Sequence, residues 1–185
     1  MSYKNTTNIC IFGGSKKGDE EIFKKKTIEL VKKILKNKCS IIFGGGNLGL
    51  MGAVAETAFL ERGTITTIIP KQLNKKNLIF KEVSKKIISK NFHQRKEEMV
   101  KRADFFILLP GGIGTLDEFF EVIALNQLKL LNKPILVLNI NGFWNPLKDL
   151  LRHIKNKNFS NGTAQINCYF MRSVNKIVEF INSKM

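Results

Sequence analysis

Three segments of this chain share one construction: a short apolar run that breaks into a glycine-rich turn and then into a longer amphipathic stretch. Asn8 to Phe12 leads into Gly13-Gly14-Ser15, Cys39 to Phe43 into Gly44-Gly45-Gly46-Asn47-Leu48-Gly49, and Phe105 to Leu109 into Pro110-Gly111-Gly112-Ile113-Gly114-Thr115. Each reads as strand, turn and helix. Strands separated by helices require right-handed crossovers, so the repetition predicts an α/β fold: a Rossmann-like, doubly wound parallel sheet covered on both faces. All three turns then fall on the carboxyl edge of the sheet, where such folds bind ligands.

The remaining elements keep the rhythm. Helices are predicted over Glu20 to Asn37, Leu48 to Arg62, Phe92 to Arg102 and Thr115 to Leu131, with two more at about Pro146 to Lys157 and Arg172 to Ser183. Further strands are expected at Thr64 to Ile69, Lys81 to Ile88 and Ile135 to Asn139. No linker or internal repeat divides the 185 residues, so residues 1–185 read as a single domain. With 43% hydrophobic and 25% charged residues the chain can bury a core, which excludes disordered and fibrous classes. Cys10, Cys39 and Cys168 are far apart and odd in number, as expected of buried thiols in a reducing compartment. No leader pattern opens the chain and no apolar run would span a bilayer, so a cytoplasmic protein without membrane contact is expected.

The 31 Lys and Arg against 15 Asp and Glu give a net charge of +16, a common footprint of nucleic-acid binders. Only 5 of those cations are Arg, however, and the chain is rich in Lys, Asn and Ile together, which suits biased composition on solvated faces better than a groove that reads phosphates. The segment Lys71 to Arg102, with 11 basic and 3 acidic residues, keeps a single-stranded nucleic-acid binder as the alternative.

Glycine in a strand-to-helix turn permits close approach of a ligand, and the following helix offers unpaired N–H groups and a positive dipole end. Three such turns on one edge point to a nucleotide or sugar phosphate. Gly44, Gly46 and Gly49 form GxGxxG, but Ile68-Ile69-Pro70-Lys71 supplies no acidic residue for a ribose hydroxyl, which disfavours NAD, and a Walker motif is absent. Thr115 and Glu118 admit two readings, a helix capping box or a carboxylate for chemistry. Arg95 and Lys96 follow His93, and the bland reading of that cluster is a solvated basic face. No His, Cys and Asp grouping has the spacing of metal ligands.

At these residues the sequence resembles a known family. Gly44 to Gly52, then His93-Gln94-Arg95-Lys96 with Met99, then Pro110-Gly111-Gly112-Ile113-Gly114-Thr115-Leu116-Asp117-Glu118 resemble the LONELY GUY (LOG) family of cytokinin riboside 5′-monophosphate phosphoribohydrolases, whose relatives were often mislabelled lysine decarboxylases. The resemblance implies hydrolysis of the N-glycosidic bond of a purine nucleoside 5′-monophosphate, AMP or an N6-prenylated AMP, to free base and ribose 5-phosphate. It implies no metal or organic cofactor, and a homodimer with the active site close to the subunit interface.

Carried over by position, the resemblance makes Arg95 and Glu118 the catalytic pair and assigns substrate binding to Lys96, Gly112, Ile113, Gly114, Thr115, Leu116 and Asp117, with Ser15, Gly46 and Asn77 beside them. The phosphate would rest on the N–H groups of Gly112, Gly114 and Thr115. Glu118, expected in the first helical turn and therefore ionised, would stabilise an oxocarbenium-like transition state and orient the attacking water. Arg95, charged at every working pH, would stabilise and position rather than deliver protons. The sequence departs from the family where Asn77 stands in place of a substrate-contacting Glu, where Phe92 replaces Met, and where Ala124-Leu125-Asn126-Gln127 replaces Thr-Trp-Ala-Gln. Those changes predict a preference for plain AMP or another nucleotide over prenylated AMP. A nucleotide sensor without turnover is the third reading.

Overall fold

The computed structural model describes residues 6–74, 78–160 and 166–185, and its strands form one sheet. Strands β1 (Asn8–Phe12), β2 (Ser40–Phe43), β3 (Ile65–Pro70), β4 (Lys85–Ser89), β5 (Phe105–Leu108), β6 (Ile135–Leu138) and β7 (Cys168–Met171) lie in the order β4-β3-β2-β1-β5-β6-β7. Every pairing between them is parallel. The intervening helices are α1 (Glu21–Lys36), α2 (Gly49–Leu60), α3 (Phe92–Arg102), α4 (Ile113–Gln127), α5 (Asn145–Asn156) and α6 (Val174–Asn182).

Alternation along the strands divides the core in two. Ile9 and Ile11 of β1 join Ile41 and Phe43 of β2 and Ile107 of β5 on the face covered by Leu30 and Val31 of α1, Val54 of α2 and Ile177 of α6. Cys10 and Phe12, Ile42, and Phe106 and Leu108 point the other way, against Met99 of α3, Phe119 and Val122 of α4, and Leu147 and Leu151 of α5. Buried on both faces, the central strands need apolar residues at every position, which is why they read as unbroken hydrophobic runs.

The doubly wound parallel sheet is as expected from the sequence, with local differences. Strand β7, Cys-Tyr-Phe-Met, was not foreseen: it contains no β-branched residue, and only its pairing with β6 makes it a strand. Helix α4 begins at Ile113, before Thr115, and the last helix begins at Val174 rather than Arg172. The extended segment expected over Lys81 to Ile88 narrows to β4. Cys10, Cys39 and Cys168 are free and buried, and burial pushes the Cys168 thiol up to about 12. No helix among the described residues is long and apolar enough to cross a membrane.

Between β1 and β5 the chain order reverses, β1 continuing to a helix on one face and β5 to a helix on the other. The loops after these strands meet where the Gly14 N–H donates to the Pro110 carbonyl at 2.9 Å and then diverge to opposite faces, at the switch point where open α/β sheets bind ligands.

Candidate active site

Helix α3 places the arginine. Its start is set by a reciprocal cap, in which the Asn91 side chain accepts from the Gln94 N–H at 2.9 Å and the Gln94 side chain accepts from the Lys90 N–H at 2.6 Å. Arg95 then lies on the first turn, aimed at the carboxyl edge of the sheet. Its Nε–H donates to the Ile68 carbonyl of β3 at 3.2 Å, and its Nη2 contacts Glu118 Oε1 at 2.8 Å. The guanidinium passes so close over Gly44 that a Cβ there would sit 2.1 Å from Nη2. Gly44 is required by this approach.

Helix α4 places the carboxylate. Its N-cap is Gly112, so Glu118 lies in the second turn, and Thr115, whose N–H donates to the Gly112 carbonyl at 3.0 Å, caps nothing. Of the two readings of Thr115 and Glu118, the capping box is not found, because the glycine-rich turn itself winds into the helix. Glu118 is nearly buried. Burial raises its carboxyl above the usual value of 4.5 and the neighbouring Asp117 adds to this, while Arg95 and, less strongly, Lys96 pull it down. The expected cause is thereby corrected: Glu118 lies beyond the first turn, so the charge that opposes its desolvation is the Arg95 guanidinium and not the helix end.

A cavity of about 720 Å³ opens in front of this pair, a volume typical of small-molecule sites. It is walled by the three glycine-rich loops, with Ser15, Lys16 and Lys17 at the first, Gly44 and Gly46 at the second, and Pro110 to Thr115 at the third. Leu50, Met51, Leu73, Phe92 and Phe143 give it an apolar side. The loops are not equivalent. The carbonyl of Gly14 accepts from the N–H groups of Leu50 and Met51 at 3.0 and 3.2 Å, so the N-terminus of α2 is closed by the first loop. Gly49, at φ +61°, lets that loop approach, since a Cβ there would meet Ser15 and Lys16 backbone atoms at 2.4 to 2.6 Å. The last glycine of the GxGxxG thus serves packing, while Gly44 and Gly46 face the cavity. Helix α4 turns a free end to the cavity: the N–H groups of Ile113 and Gly114 have no partner among the described residues, and a Cβ built at Gly112 or Gly114 would meet nothing within 4 Å.

A family profile described as "Possible lysine decarboxylase" matches residues 51–181. A probable cytokinin riboside 5′-monophosphate phosphoribohydrolase of Oryza sativa subsp. japonica is 36% identical over 157 residues, which cover 85% of this chain and 64% of that one. A cytokinin riboside 5′-monophosphate phosphoribohydrolase of Arabidopsis thaliana is likewise 36% identical over 157 residues, covering 85% of this chain and 74% of its own. The chain belongs to the LOG family. Among solved structures, the molybdenum cofactor binding protein of Rippkaea orientalis superposes with a TM-score of 0.72 at 21% identity, covering 97% of this chain and 98% of its own, a likeness of fold.

The residues that the LOG resemblance singles out are only partly brought together. Arg95, Glu118, Gly112, Ile113, Gly114, Thr115, Asp117, Ser15 and Gly46 all line the cavity. Lys96 and Leu116 do not: Lys96 is held by carboxylates of α4, and Leu116 packs against the core beneath α4. The Thr115 N–H, expected to hold phosphate, is already used within the turn. Asn77 lies outside the described residues. Phe92 does line the cavity, whereas Ala124 to Gln127 end α4 far from it, where Asn126 donates to the carbonyls of Lys133 and Ile166. His93 is exposed and off the cavity. Lys16, Lys17, Met51 and Phe143, none of them expected as a substrate contact, also belong to its lining. Among the described residues no group of three His, Cys, Asp or Glu is placed to hold a metal ion.

Proposed function

We propose that this protein hydrolyses the N-glycosidic bond of purine nucleoside 5′-monophosphates, releasing free base and ribose 5-phosphate. The observation that carries the reading is the Arg95–Glu118 contact at the floor of a cavity whose rim is the open N-terminus of α4. In the proposed complex the 5′-phosphate rests on the N–H groups of Ile113 and Gly114, in the space that Gly112 and Gly114 leave empty, with the Thr115 hydroxyl beside it. Lys16 and Lys17, which make no ion pair among the described residues, add positive potential at the mouth. The base lies toward Leu50, Met51, Phe92 and Phe143.

Phosphate held at one end fixes the ribose, so its anomeric carbon lies near Glu118. As the bond from that carbon to the base nitrogen breaks, positive charge grows on the ribose, and the ionised Glu118 stabilises it and orients the incoming water. The hydroxyl of that water ends on ribose and its proton on the base. Arg95 keeps Glu118 ionised despite burial and positions it. Pyridoxal phosphate chemistry, suggested by the profile's description, does not fit: the lysines lining the cavity are exposed, and a Schiff-base lysine needs desolvation to lower its pKa.

We further propose a homodimer built on α4, where Ile113, Phe120 and Leu128 line one side of the helix and remain exposed. A monomer in sedimentation at micromolar concentration would overturn this. The activity is tested by incubating the protein with AMP, GMP, CMP and isopentenyl-AMP and measuring released base. Release from a purine monophosphate, reduced on the order of 10²-fold or more in Glu118→Gln, is the expected result. No release, or near-full activity in the variant, would sink the proposal.

A further inference from the structure

We propose that Lys133 is a positioning residue for the Arg95–Glu118 pair: it ties the last turn of α3 to the last turn of α4 and so fixes how the starts of the two helices face each other. Its effect on rate rests on the hydrolase reading. Lys133 stands between α4 and β6, and its ammonium donates to the Val100 and Lys101 carbonyls of α3 at 2.8 and 3.3 Å. The chain leaves the helix there, the Asp104 N–H donating to the Asn8 carbonyl of β1, so Val100 keeps an acceptor that the helix itself does not fill. The ammonium also meets the negative end of the α3 dipole. Burial lowers its affinity for a proton below the ordinary value of 10.5, opposed by Asp104, as expected of a cation that has exchanged water for carbonyls. The backbone of the same residue faces α4. Its N–H donates to Asn126 Oδ1 at 3.3 Å and its carbonyl accepts from Asn126 Nδ2 at 2.9 Å. Asn126 is buried in the last turn of α4, and its amide donates as well to the Ile166 carbonyl at 3.0 Å.

A cation at a helix end would by itself be no more than a cap. Lys133 is a joint because one residue holds two helices, and those two helices carry the pair at their other ends, where Arg95 meets Glu118 at 2.8 Å. At a rise of about 1.5 Å per residue, Arg95 stands about 7.5 Å along α3 from Val100, and Glu118 about 12 Å along α4 from Asn126. Over two or three turns a helix moves as a stiff element, so a slide or tilt at the joined ends is passed on to the pair. A misplacement on the order of 1 Å, caused far from the chemistry, costs roughly 10²-fold in rate. Lys133 lines no part of the cavity, so its loss should act on the chemical step and leave ground-state affinity nearly unchanged.

The test uses Lys133→Met, Lys133→Arg and Asn126→Ala. With AMP as substrate, Lys133→Met is expected to lower kcat about tenfold while KM stays within about threefold, and Lys133→Arg, which keeps a donor for the same carbonyls, to recover most of the loss. In an Arg95→Gln background, Lys133→Met should cost less than about twofold further, because the pair whose register it sets is already broken. An equal loss in both backgrounds, or a loss confined to KM, would overturn the proposal. Asn126→Ala, which leaves the ammonium in place, should act in the same direction more weakly, and it carries the same comparisons if Lys133→Met does not fold. A second readout needs no substrate. Glu118 is faced by Arg95 and Lys96 of α3, by Asp117 of α4 and by the buried Cys10 thiol of β1, and Arg95 is the strongest pull toward its ionised form. Loosening the joint draws Arg95 away, so the Glu118 carboxyl, followed by carboxyl-carbon NMR, should titrate at higher pH in Lys133→Met and Asn126→Ala than in the wild type, and return in Lys133→Arg. An unmoved titration rejects the joint. Should the wild-type protein release no base from any monophosphate, the hydrolase reading fails, and the Glu118 titration still decides whether Lys133 positions the pair.

Discussion

Burial raises the affinity of the Glu118 carboxyl for a proton, the Arg95 guanidinium 2.8 Å away opposes it, and the balance lies above the ordinary glutamate value of 4.5. The sign for activity follows directly. As pH falls, Glu118 takes up its proton earlier than a free glutamate would, and the protonated acid can neither stabilise positive charge on ribose nor orient water as a base. The acid limb of kcat/KM is therefore expected above 4.5, and in the residual activity of Arg95→Gln, which lacks the main opposing charge, still higher. A wild-type limb at or below 4.5, from a pH profile of adenine release, contradicts the burial argument. At this scale the sequence was legible through its motifs, which name Arg95 and Glu118 as partners. The hold of Lys96 on Asp117 and Glu121 was not, because it depends on how two helices cross, a quantity that no local pattern encodes.

For the helices, the informative ends are the two N-termini that carry the pair. The Asn91–Gln94 cap starts α3, and Asn91→Ala is expected to cost about 0.5–2 kcal/mol, a fall of several degrees in thermal midpoint on denaturation. An unchanged midpoint would show that tertiary contacts alone set the start of α3. At α4, Gly114 lies within the first turn with open space where a side chain would be, so Gly114→Ala should fold normally and gain up to about 1 kcal/mol of helix stability. Its methyl group would stand where phosphate is proposed to sit, so KM for AMP should rise while the midpoint holds or increases. Loss of stability instead would mean that the open space is needed by the fold. Strand and helix identities were legible because short unbroken apolar runs alternate with longer amphipathic stretches of helical period. Two features were not: β7 lacks β-branched residues, and the start of α4 hides in a turn whose glycines look like loop while Thr115 and Glu118 imitate a cap.

At the level of the whole molecule, a +16 chain first suggests a long polyanion, yet the adjacent cations Arg95 and Lys96 are engaged by carboxylates of α4. What shapes the site is sheet order. Strands β1 and β5 are neighbours in space and far apart in sequence, and the order of strands brings their loops face to face. The interlock of the first two loops also divides the backbone amides around the cavity into two kinetic classes. Those of Leu50 and Met51, closed by the Gly14 carbonyl, should exchange slowly with deuterium whether or not nucleotide is present. Those of Ile113 and Gly114 should exchange rapidly in the free protein and slow markedly in saturating AMP, with Glu118→Gln used to prevent turnover. Equal exchange of Ile113 and Gly114 with and without AMP would place the anion elsewhere. On the proposed reading, Ile113 and Gly114 report occupancy of the cavity, and Leu50 and Met51 are the static reference against which to read it.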